Sequence, residues 1–221
     1  MPRTPDGVST EELFIEIPKR VEGLFEGVKY PWEILGRLEN ILSYVDTSGL
    51  SEIAEGVFVG KDVSISPLAT LIGPLVICDG CEIRPGAYIR GRVFVGEGSV
   101  IGNSTELKSS VLLSHATLPH YNYVGDSVIG NNAHMGAGAI ISNLKSLGGK
   151  VTVKGEETYE TGLRKLGACL ADGADIGAGA ILNPGTVIGR NTVVYPLTRV
   201  RGVIPADMIV KSEKEITRRL K

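Results

Sequence analysis

Aliphatic residues recur at every sixth position along most of this chain. Starting at Ile53, the register contains Val59, Ile65, Leu71, Ile77, Ile83, Ile89, Val95, Ile101, Leu107 and Leu113. A period of six fits neither the 3.6-residue repeat of a helix nor the two-residue repeat of a strand. It predicts a coil with three short flat faces, in which each face points one aliphatic side chain at the axis. Stacking such coils buries a continuous apolar column that no single repeat could bury alone.

The register resumes after a first interruption at Tyr123, Ile129, Met135 and Ile141, and after a second at Leu170, Ile176, Leu182, Ile188, Val194 and Val200. Small or β-branched residues usually lie two positions earlier, and glycine often follows the aliphatic residue directly, as at Gly60, Gly96 and Gly189. Glycine suits corners because the backbone must turn there without a bulky side chain. We therefore predict an all-β protein, a parallel β-helix with a short α-helical segment in front.

The pattern divides the chain into three regions. Residues 1–48 lack the hexad, carry a proline at Pro31 where a helix can begin, and are expected to form a helical cap over the open first coil or a linker-like segment. Residues 49–205 are expected to form the β-helix, with loop insertions near 114–122 and 143–167. Residues 206–221 are basic and are expected to form a C-terminal helical tail.

Charge and composition narrow the possible partners. The formal charge is −2 and 43% of the residues are apolar. This balance favours neither nucleic acid nor an anionic membrane as a partner, and no apolar run approaches the roughly 20 residues of a membrane span. We expect a cytoplasmic protein, because the three cysteines, Cys78, Cys81 and Cys169, do not make a disulfide framework. Cys78 and Cys81 are interpreted as packing residues.

A group of motifs resembles a known family. The runs IGNSTELKSS, HYNYVGDSVIG, MGAGAIISN and TGLRKLGA occur in this order. They resemble the acetyltransferase domain of the bacterial bifunctional enzyme that acetylates and then uridylylates glucosamine-1-phosphate. They are also similar to the β-helix tails of archaeal sugar-phosphate nucleotidylyltransferases, whose linking stretch resembles YPWEIL, residues 30–35.

The resemblance implies a left-handed coil and a hexapeptide-repeat acyltransferase. Such an enzyme moves an acetyl group from acetyl-CoA to the amine of an amino-sugar phosphate in sugar-nucleotide biosynthesis. It also implies a homotrimer whose sites are completed by a neighbour, and no metal is expected. The family's glycine-rich nucleotidylyltransferase domain is not found in this sequence, so uridylyl transfer is not expected.

The resemblance also assigns roles by position. His120 matches the general base that takes a proton from the sugar amine, a task suited to an imidazole. Lys108 and Tyr123 match residues that hold the sugar phosphate. Lys165 matches a lysine that reaches the phosphate from a neighbouring subunit. The family's phosphate-binding arginine corresponds to either Arg84 or Arg90, and we favour Arg90.

Three further positions belong to the expected substrate groove. His134 stands where the family has an asparagine that helps to place the sugar amine, so this position bears on the choice of acceptor. Ala137 and Ala178 match small residues along the groove for the acyl carrier. Small residues at coil corners would explain both alanines equally well.

Two other functions remain open. His115 and His120 lie five residues apart, a spacing found in the γ-type carbonic anhydrases, which are also β-helical trimers that bind zinc through histidines. A β-helix that has lost its acceptor chemistry could instead be a non-catalytic scaffold that binds sugar nucleotides.

Overall fold

The computed structural model describes residues 7–219, and most of them form a stacked coil with three faces. The helical segments come first and are short: α1 Thr10–Leu13, a 3₁₀ turn Lys19–Val21, α2 Glu22–Phe25, and a 3₁₀ segment Pro31–Ser43. None of the helices among the described residues is long and apolar enough to cross a membrane.

Short strands follow the helical segments. In chain order, up to the insertion, they are β1 Ser51–Ala54, β2 Val57–Val59, β3 Ser64–Ile65, β4 Thr70–Ile72, β5 Leu75–Ile77, β6 Glu82–Ile83, β7 Tyr88–Arg90, β8 Val93–Val95, β9 Val100–Asn103, β10 Glu106–Lys108, β11 Val111–Leu112, β12 Thr117–His120, β13 Tyr123–Gly125, β14 Val128–Ile129, β15 His134–Met135 and β16 Ile140–Ile141. The remaining strands are β17 Thr152–Lys154, β18 Thr158–Glu160, β19 Ala168–Leu170, β20 Asp175–Ile176, β21 Ile181–Leu182, β22 Thr186–Ile188, β23 Val193–Val194, β24 Arg199–Val200, β25 Val203–Ile204, β26 Met208–Ser212 and β27 Glu215–Arg218.

The strands build three faces that the chain visits in turn. Face 1 has the order β1-β2-β5-β8-β11-β14-β19-β22-β25, face 2 runs from β3 through β6, β9, β12, β15, β20 and β23 to β26 and β27, and face 3 has the order β4-β7-β10-β13-β16-β21-β24. Successive coils pair in parallel on each face, as where Leu107 of β10 lies beside Ile89 of β7. The predicted left-handed parallel β-helix is confirmed.

Aliphatic side chains fill the axis of the coil, as the hexad predicts. Ile77, Ile83 and Ile89 supply one side chain from each face of one coil, and all three are at most 1% exposed. Each such side chain contributes roughly 1.5–3 kcal/mol by leaving water. Ile53 does not belong to this column, because β1 pairs antiparallel with β2 and the Ile53 side chain is 55% exposed.

The expectation of a loop insertion near residues 114–122 is wrong. These residues form β12 and its flanking corners, and β12 pairs with β9 and β15 in the regular stack. The hexad loses phase because the corners after β10 and after β13 are each one residue shorter, so that Leu107 and Leu112, and again Val124 and Ile129, are five residues apart in the axial column. Tyr88 pairs with Glu106, 18 residues further on, whereas Glu106 pairs with Tyr123, 17 residues further on.

The shorter corner after β10 changes which side chains point inward. Leu112 and Val124 lie in the axial column, not Leu113 and Tyr123 as the six-residue count predicted. Leu113 is also fully buried, but on the outside of face 1. Tyr123 therefore faces outward from face 3, where it can meet a ligand.

The N-terminal segment does not cap the first coil, so that expectation is wrong. Trp32, Leu38 and Ile41 pack against outward side chains of face 1, such as Val76 and Phe94. Face 1 offers this apolar exterior on several successive coils, and the apolar residues of the segment are buried against it. The segment is also fixed to late coils, where the Ile15 N–H donates to Asp172 Oδ2 at 2.7 Å.

The expectation of a C-terminal helical tail is also wrong. Residues 208–218 form two strands, β26 and β27, and β26 adds to face 2 by pairing Ile209 with Val193 and Val210 with Val194. Val210 enters the axial column, and β27 then folds back antiparallel along β26. Pairing with an existing edge outweighs the helical preference of a short charged segment. Residues 220 and 221 of the expected tail lie outside the described residues.

The segment from residue 143 to 167 leaves the coil between β16 and β19. It contains the antiparallel hairpin of β17 and β18, in which Val153 lies opposite Tyr159. Val153 and Val151 are fully buried in the cluster that also holds Trp32 and Val187. The insertion is therefore a packed element and not a free loop.

The cysteines are packing residues within this fold. All three are buried and unpaired by disulfides. Burial raises the pKa of Cys78 to about 12 and that of Cys81 to about 11. The Cys81 thiol also donates to the Gly96 carbonyl at 3.1 Å. These thiols are poor nucleophiles and poor metal ligands at neutral pH.

Candidate functional site

His120 lies at the corner between faces 2 and 3, at the end of β12. Its imidazole is exposed, and its backbone is held from both neighbouring coils. Its register partner on the coil below is Asn103, and its carbonyl accepts the Gly138 N–H of the coil above at 3.0 Å. The backbone is thus fixed while the ring is free to contact a ligand.

Asn122 fixes this corner from the inside. Its side chain is 2% exposed, its Oδ1 accepts the His120 N–H at 3.2 Å, and its Nδ2 donates to the Gly136 carbonyl at 2.8 Å. A buried amide with its hydrogen bonds satisfied is a strong positional constraint. Sequence reasoning did not single out Asn122, although a polar residue between two tyrosines in HYNY was an available signal.

Ala137 and Ala178 lie at the same corner on the next two coils. The Gly179 N–H donates to the Ala137 carbonyl at 2.9 Å, so the two corners stack directly. Both alanines are exposed. The three predicted residues His120, Ala137 and Ala178 therefore form one vertical edge of the molecule, which we call the His120 edge.

His134 lies on face 2, one coil above Thr117 and beside Asp175. Its Nδ1 is 2.8 Å from Asp175 Oδ1, and both side chains are roughly half exposed. The carboxylate orients the ring and leaves Nε2 directed away from it. His134 comes three residues before Ala137 in the chain, so it flanks the His120 edge on face 2.

Face 3 carries the predicted phosphate-binding residues on its outer side. Arg90 and Lys108 are register partners on adjacent coils. Tyr123 lies one coil further along, where it is the register partner of Glu106, two residues before Lys108. Arg90 is paired with Glu106, with 2.8 Å between Nε and Oε1 and 2.7 Å between NH2 and Oε1. Burial, together with the charge of Glu106, raises the pKa of Tyr123 and keeps its hydroxyl protonated.

Lys108 lies at the corner between faces 3 and 1. Its Nζ is 3.3 Å from Asp126 Oδ2, and both side chains are largely buried. Asn143 Nδ2 donates to the same oxygen at 2.5 Å and to the Tyr123 hydroxyl at 3.3 Å. Sequence reasoning missed Glu106, Asp126 and Asn143, because their roles depend on contacts between coils.

Lys165 approaches Lys108 from the insertion. The two lysines line a cavity of about 170 Å³ together with Arg92, Ser109 and Asp126. Lys165 is exposed and has no ion-pair partner within residues 7–219. The structure therefore brings Lys108 and Lys165 of one chain together.

Arg84 lies apart from this group. It sits after β6 on face 2 and pairs with Glu82, with 2.9 Å between Nε and Oε1. Arg90 is the register neighbour of Lys108, whereas Arg84 is on a different face. The geometry therefore favours Arg90 over Arg84 as the arginine of this site.

The histidines do not converge. His115 lies at the corner between faces 1 and 2, and His120 lies at the other end of β12. Within the part of the chain that the structure describes, no three His, Cys, Asp or Glu side chains come close enough to hold a metal ion. The five-residue spacing that suggested a zinc site thus places the two rings at opposite edges of face 2.

These features place the chain in the class of left-handed β-helices built from hexapeptide repeats. Residues 71–161 match the family model described as the GMPPB C-terminal domain. The bifunctional protein GlmU of Methanocaldococcus jannaschii is 30% identical over 209 residues, which cover 91% of this chain and 51% of the relative. The bifunctional sugar-1-phosphate nucleotidylyltransferase/acetyltransferase of Sulfurisphaera tokodaii is 33% identical over 184 residues, which cover 79% of this chain and 46% of the relative.

The chain thus resembles the archaeal bifunctional proteins, as its motifs indicated, and it spans about half the length of the curated relatives it matches. A solved structure of AntD, an N-acyltransferase from Bacillus cereus in complex with dTDP and 3-hydroxybutyryl-CoA, is 18% identical with a TM-score of 0.40. That comparison covers 73% of this chain and 82% of AntD. A similarity at this level assigns no function.

Proposed function

We propose that this protein is an acyltransferase that moves an acetyl or related acyl group from CoA to the amine of a sugar phosphate such as glucosamine-1-phosphate. The observation that carries the proposal is the His120 edge, where an exposed imidazole on a fixed backbone adjoins the face that carries Arg90 and Lys108. The similarity to proteins named as bifunctional nucleotidylyltransferase/acetyltransferases supports the same chemistry.

The reaction needs a base and a place for developing negative charge. The imidazole of His120 takes a proton as the amine nitrogen attacks the thioester carbonyl carbon. A C–N bond forms, the C–S bond then breaks, and CoA leaves as a thiol with the proton that His120 returns. General base catalysis of this kind contributes roughly 10²–10⁴ in rate, and one backbone N–H facing the oxyanion is worth about 3 kcal/mol.

The phosphate of the acceptor would bind at face 3. Arg90 provides a planar fork, and Lys108 and Lys165 provide point charges. Arg90 and Lys108 are each already paired with a carboxylate, Glu106 and Asp126, so a phosphate must share or displace these partners. Tyr123 lies between this group and His120 along β13 and can hydrogen-bond to the sugar.

We propose that the functional protein is a cytoplasmic homotrimer whose sites lie between copies. Face 3 supports a contact between copies, because three apolar side chains remain partly exposed there: Ile72 at 47%, Tyr88 at 38% and Ile140 at 37%. In the register of this face, Glu106 and Tyr123 lie between Tyr88 and Ile140, and Ile72 lies opposite Arg90. Apolar side chains interspersed with polar ones suit a contact between proteins. A neighbouring copy seated there would close the groove beside the His120 edge.

The test is thiol release from acetyl-CoA in the presence of glucosamine-1-phosphate. The His120→Asn variant should lose at least about a hundredfold in kcat, as expected on removal of a general base. His115→Asn is the matched control, since His115 is an exposed histidine at the other end of the same strand. A chelator should leave the release unchanged.

Two results would reject this function. Equal losses in the two histidine variants would show that His120 has no special role. No thiol release with any amino-sugar phosphate would favour the scaffold that binds sugar nucleotides without catalysis.

A further inference from the structure

A second cavity lies between the insertion and the late coils, away from the His120 edge. It measures about 340 Å³. Its walls come from the start of the insertion, from strand β17 and from two corners between faces 3 and 1. We call it the hairpin pocket, and its lining includes Lys145, Lys154, Asn183, Gly185, Arg201 and Gly202.

The charge of the hairpin pocket is one-sided. Lys145, Lys154 and Arg201 line it, and its lining in the described part of the chain includes no Asp or Glu. Within residues 7–219, Lys154 and Arg201 have no ion-pair or hydrogen-bond partner for their side chains, whereas Lys145 Nζ donates to the Lys150 carbonyl at 3.0 Å. A local excess of cations in a chain of net charge −2 indicates an anionic ligand.

A neighbouring acidic residue does not neutralise this group. Glu213 is engaged by Arg199, whose side chain donates to it directly. The pKa of Glu213 is lowered first by this hydrogen bond and only to a lesser degree by the charge of Arg201. The guanidinium of Arg201 therefore remains available toward the cavity.

One wall of the pocket is closely packed. Gly185 and Gly202 have φ angles of +79° and +78°, and a Cβ at either would lie within 2.7 Å of the backbone oxygen of Thr152 or Lys154. The hairpin therefore rests directly on two glycine corners, and larger residues would push it away. Lys154 and Arg201 are carried by the hairpin and by a coil corner, whereas Lys145 lies on the exposed turn after β16. Two of the three cations are therefore placed before a ligand arrives.

The mouth of the pocket combines apolar and polar groups. Leu144 is 43% exposed and Leu147 is fully exposed, although both line the cavity. Ser142 and Thr152 add hydroxyl groups. The size is at the lower end of small-ligand sites, which are roughly 300–1,000 Å³. Such a mixture suits a phosphorylated ligand with an attached ring.

We propose that the hairpin pocket binds the diphosphate of a nucleotide. Arg201 would hold one phosphate through its planar fork, and Lys154 and Lys145 would neutralise the other. The ring of the nucleotide would lie against Leu144 and Leu147. Two sources share this chemistry, a free nucleoside diphosphate and the nucleotide end of CoA. The proposal does not depend on the acyltransferase activity.

The first experiment is isothermal titration calorimetry with ADP, inorganic pyrophosphate and CoA as separate probes. The Lys154→Ala/Arg201→Ala double variant should bind ADP and pyrophosphate at least about tenfold more weakly, because hydrogen bonds between charged groups are stronger than those between neutral ones. The matched control is Lys61→Ala/Arg190→Ala, which removes the same charges elsewhere and should bind like the wild type. Circular dichroism of both variants checks that the fold is kept.

The outcomes separate the possibilities. Equal affinity of wild type and Lys154→Ala/Arg201→Ala for ADP, or no binding of any probe to the wild type, overturns the proposal. If the double variant weakens ADP and CoA by the same factor, the pocket holds the nucleotide end of CoA. If only ADP is weakened, the ligand is a free nucleotide. His120→Asn should leave ADP affinity unchanged, so failure of the acyltransferase proposal would not affect this result.

Discussion

The two histidines near the proposed site differ in what holds them. His120 has a fixed backbone and a ring with no hydrogen-bond partner among residues 7–219, whereas the ring of His134 is held by Asp175 at 2.8 Å. A ring without such a partner suits proton transfer from a mobile substrate, and a held ring suits the positioning of one. His134 is therefore the residue we expect to govern which acceptor is used.

Replacing His134 by asparagine tests this role. We expect His134→Asn to raise kcat/KM for glucosamine-1-phosphate by about tenfold, the effect of one hydrogen bond, while the KM for acetyl-CoA stays unchanged. Steady-state thiol release at varied acceptor and donor concentrations measures both. Asp175→Asn, which keeps the ring and weakens its support, is the control. An equal change in both KM values would contradict a role in acceptor choice.

The buried thiols give a prediction about pH. Because burial raises the pKa of Cys81 to about 11 and that of Cys78 to about 12, both are neutral thiols at pH 8 in the folded protein. Iodoacetamide should therefore modify the native protein far more slowly than the urea-unfolded protein, whose thiols ionise near pH 8.5. Mass spectrometry counts the modified thiols. Rapid modification of native protein at pH 8 would show that the coils open readily.

At the scale of elements, the short corner after β10 decides which residues face the ligand. It turns Val124 into the axis and Tyr123 outward, and it places Lys108 at the edge beside Asp126. A one-residue change of register exchanges inward and outward side chains, so the orientation of β13 on face 3 depends on this corner.

Two substitutions in neighbouring positions check this register. Val124→Ala removes buried methyl groups and should cost about 2 kcal/mol of unfolding free energy. Tyr123→Phe removes only a hydroxyl from a partly exposed ring and should change stability by less than about 0.5 kcal/mol, while it weakens acceptor binding. Urea unfolding with constant m-value gives both numbers. The reverse order of effects would mean that the inward and outward residues are exchanged.

At the scale of the whole molecule, face 1 is covered by the N-terminal segment, whereas Ile72, Tyr88 and Ile140 of face 3 stay partly exposed in the single chain. The covered face cannot serve as a contact between copies. Face 3 therefore has two expected roles, in assembly and in substrate binding, and the proposed site depends on both.

Assembly is tested by sedimentation. The protein should sediment as a trimer, three times the 23.4 kDa of one chain, and Ile140→Asp should shift it toward the monomer because a carboxylate would be buried in the contact. Ile15→Asp is the control, since Ile15 is an exposed apolar residue on the N-terminal segment. A wild-type monomer at micromolar concentration would contradict the proposed site between copies.

The hexad alone determined the coil, its three faces and most of the axial column. This was possible because the repeat is local, so that six residues define one face and one corner without reference to distant parts of the chain. The motif resemblance identified residues such as His120 and Lys108 by position. It could not identify their carboxylate and amide partners, because these belong to other coils.

The tertiary structure decided the remainder. An axial spacing of five residues instead of six looks like an insertion in the sequence. Only the pairing of Glu106 with Tyr123 shows that the coil is continuous. The N-terminal segment and the C-terminal strands were predicted wrongly for a common reason. Both are stabilised by surfaces that exist only after the coils have stacked, the apolar exterior of face 1 and the open edge of face 2. Local sequence preference carries no information about such surfaces.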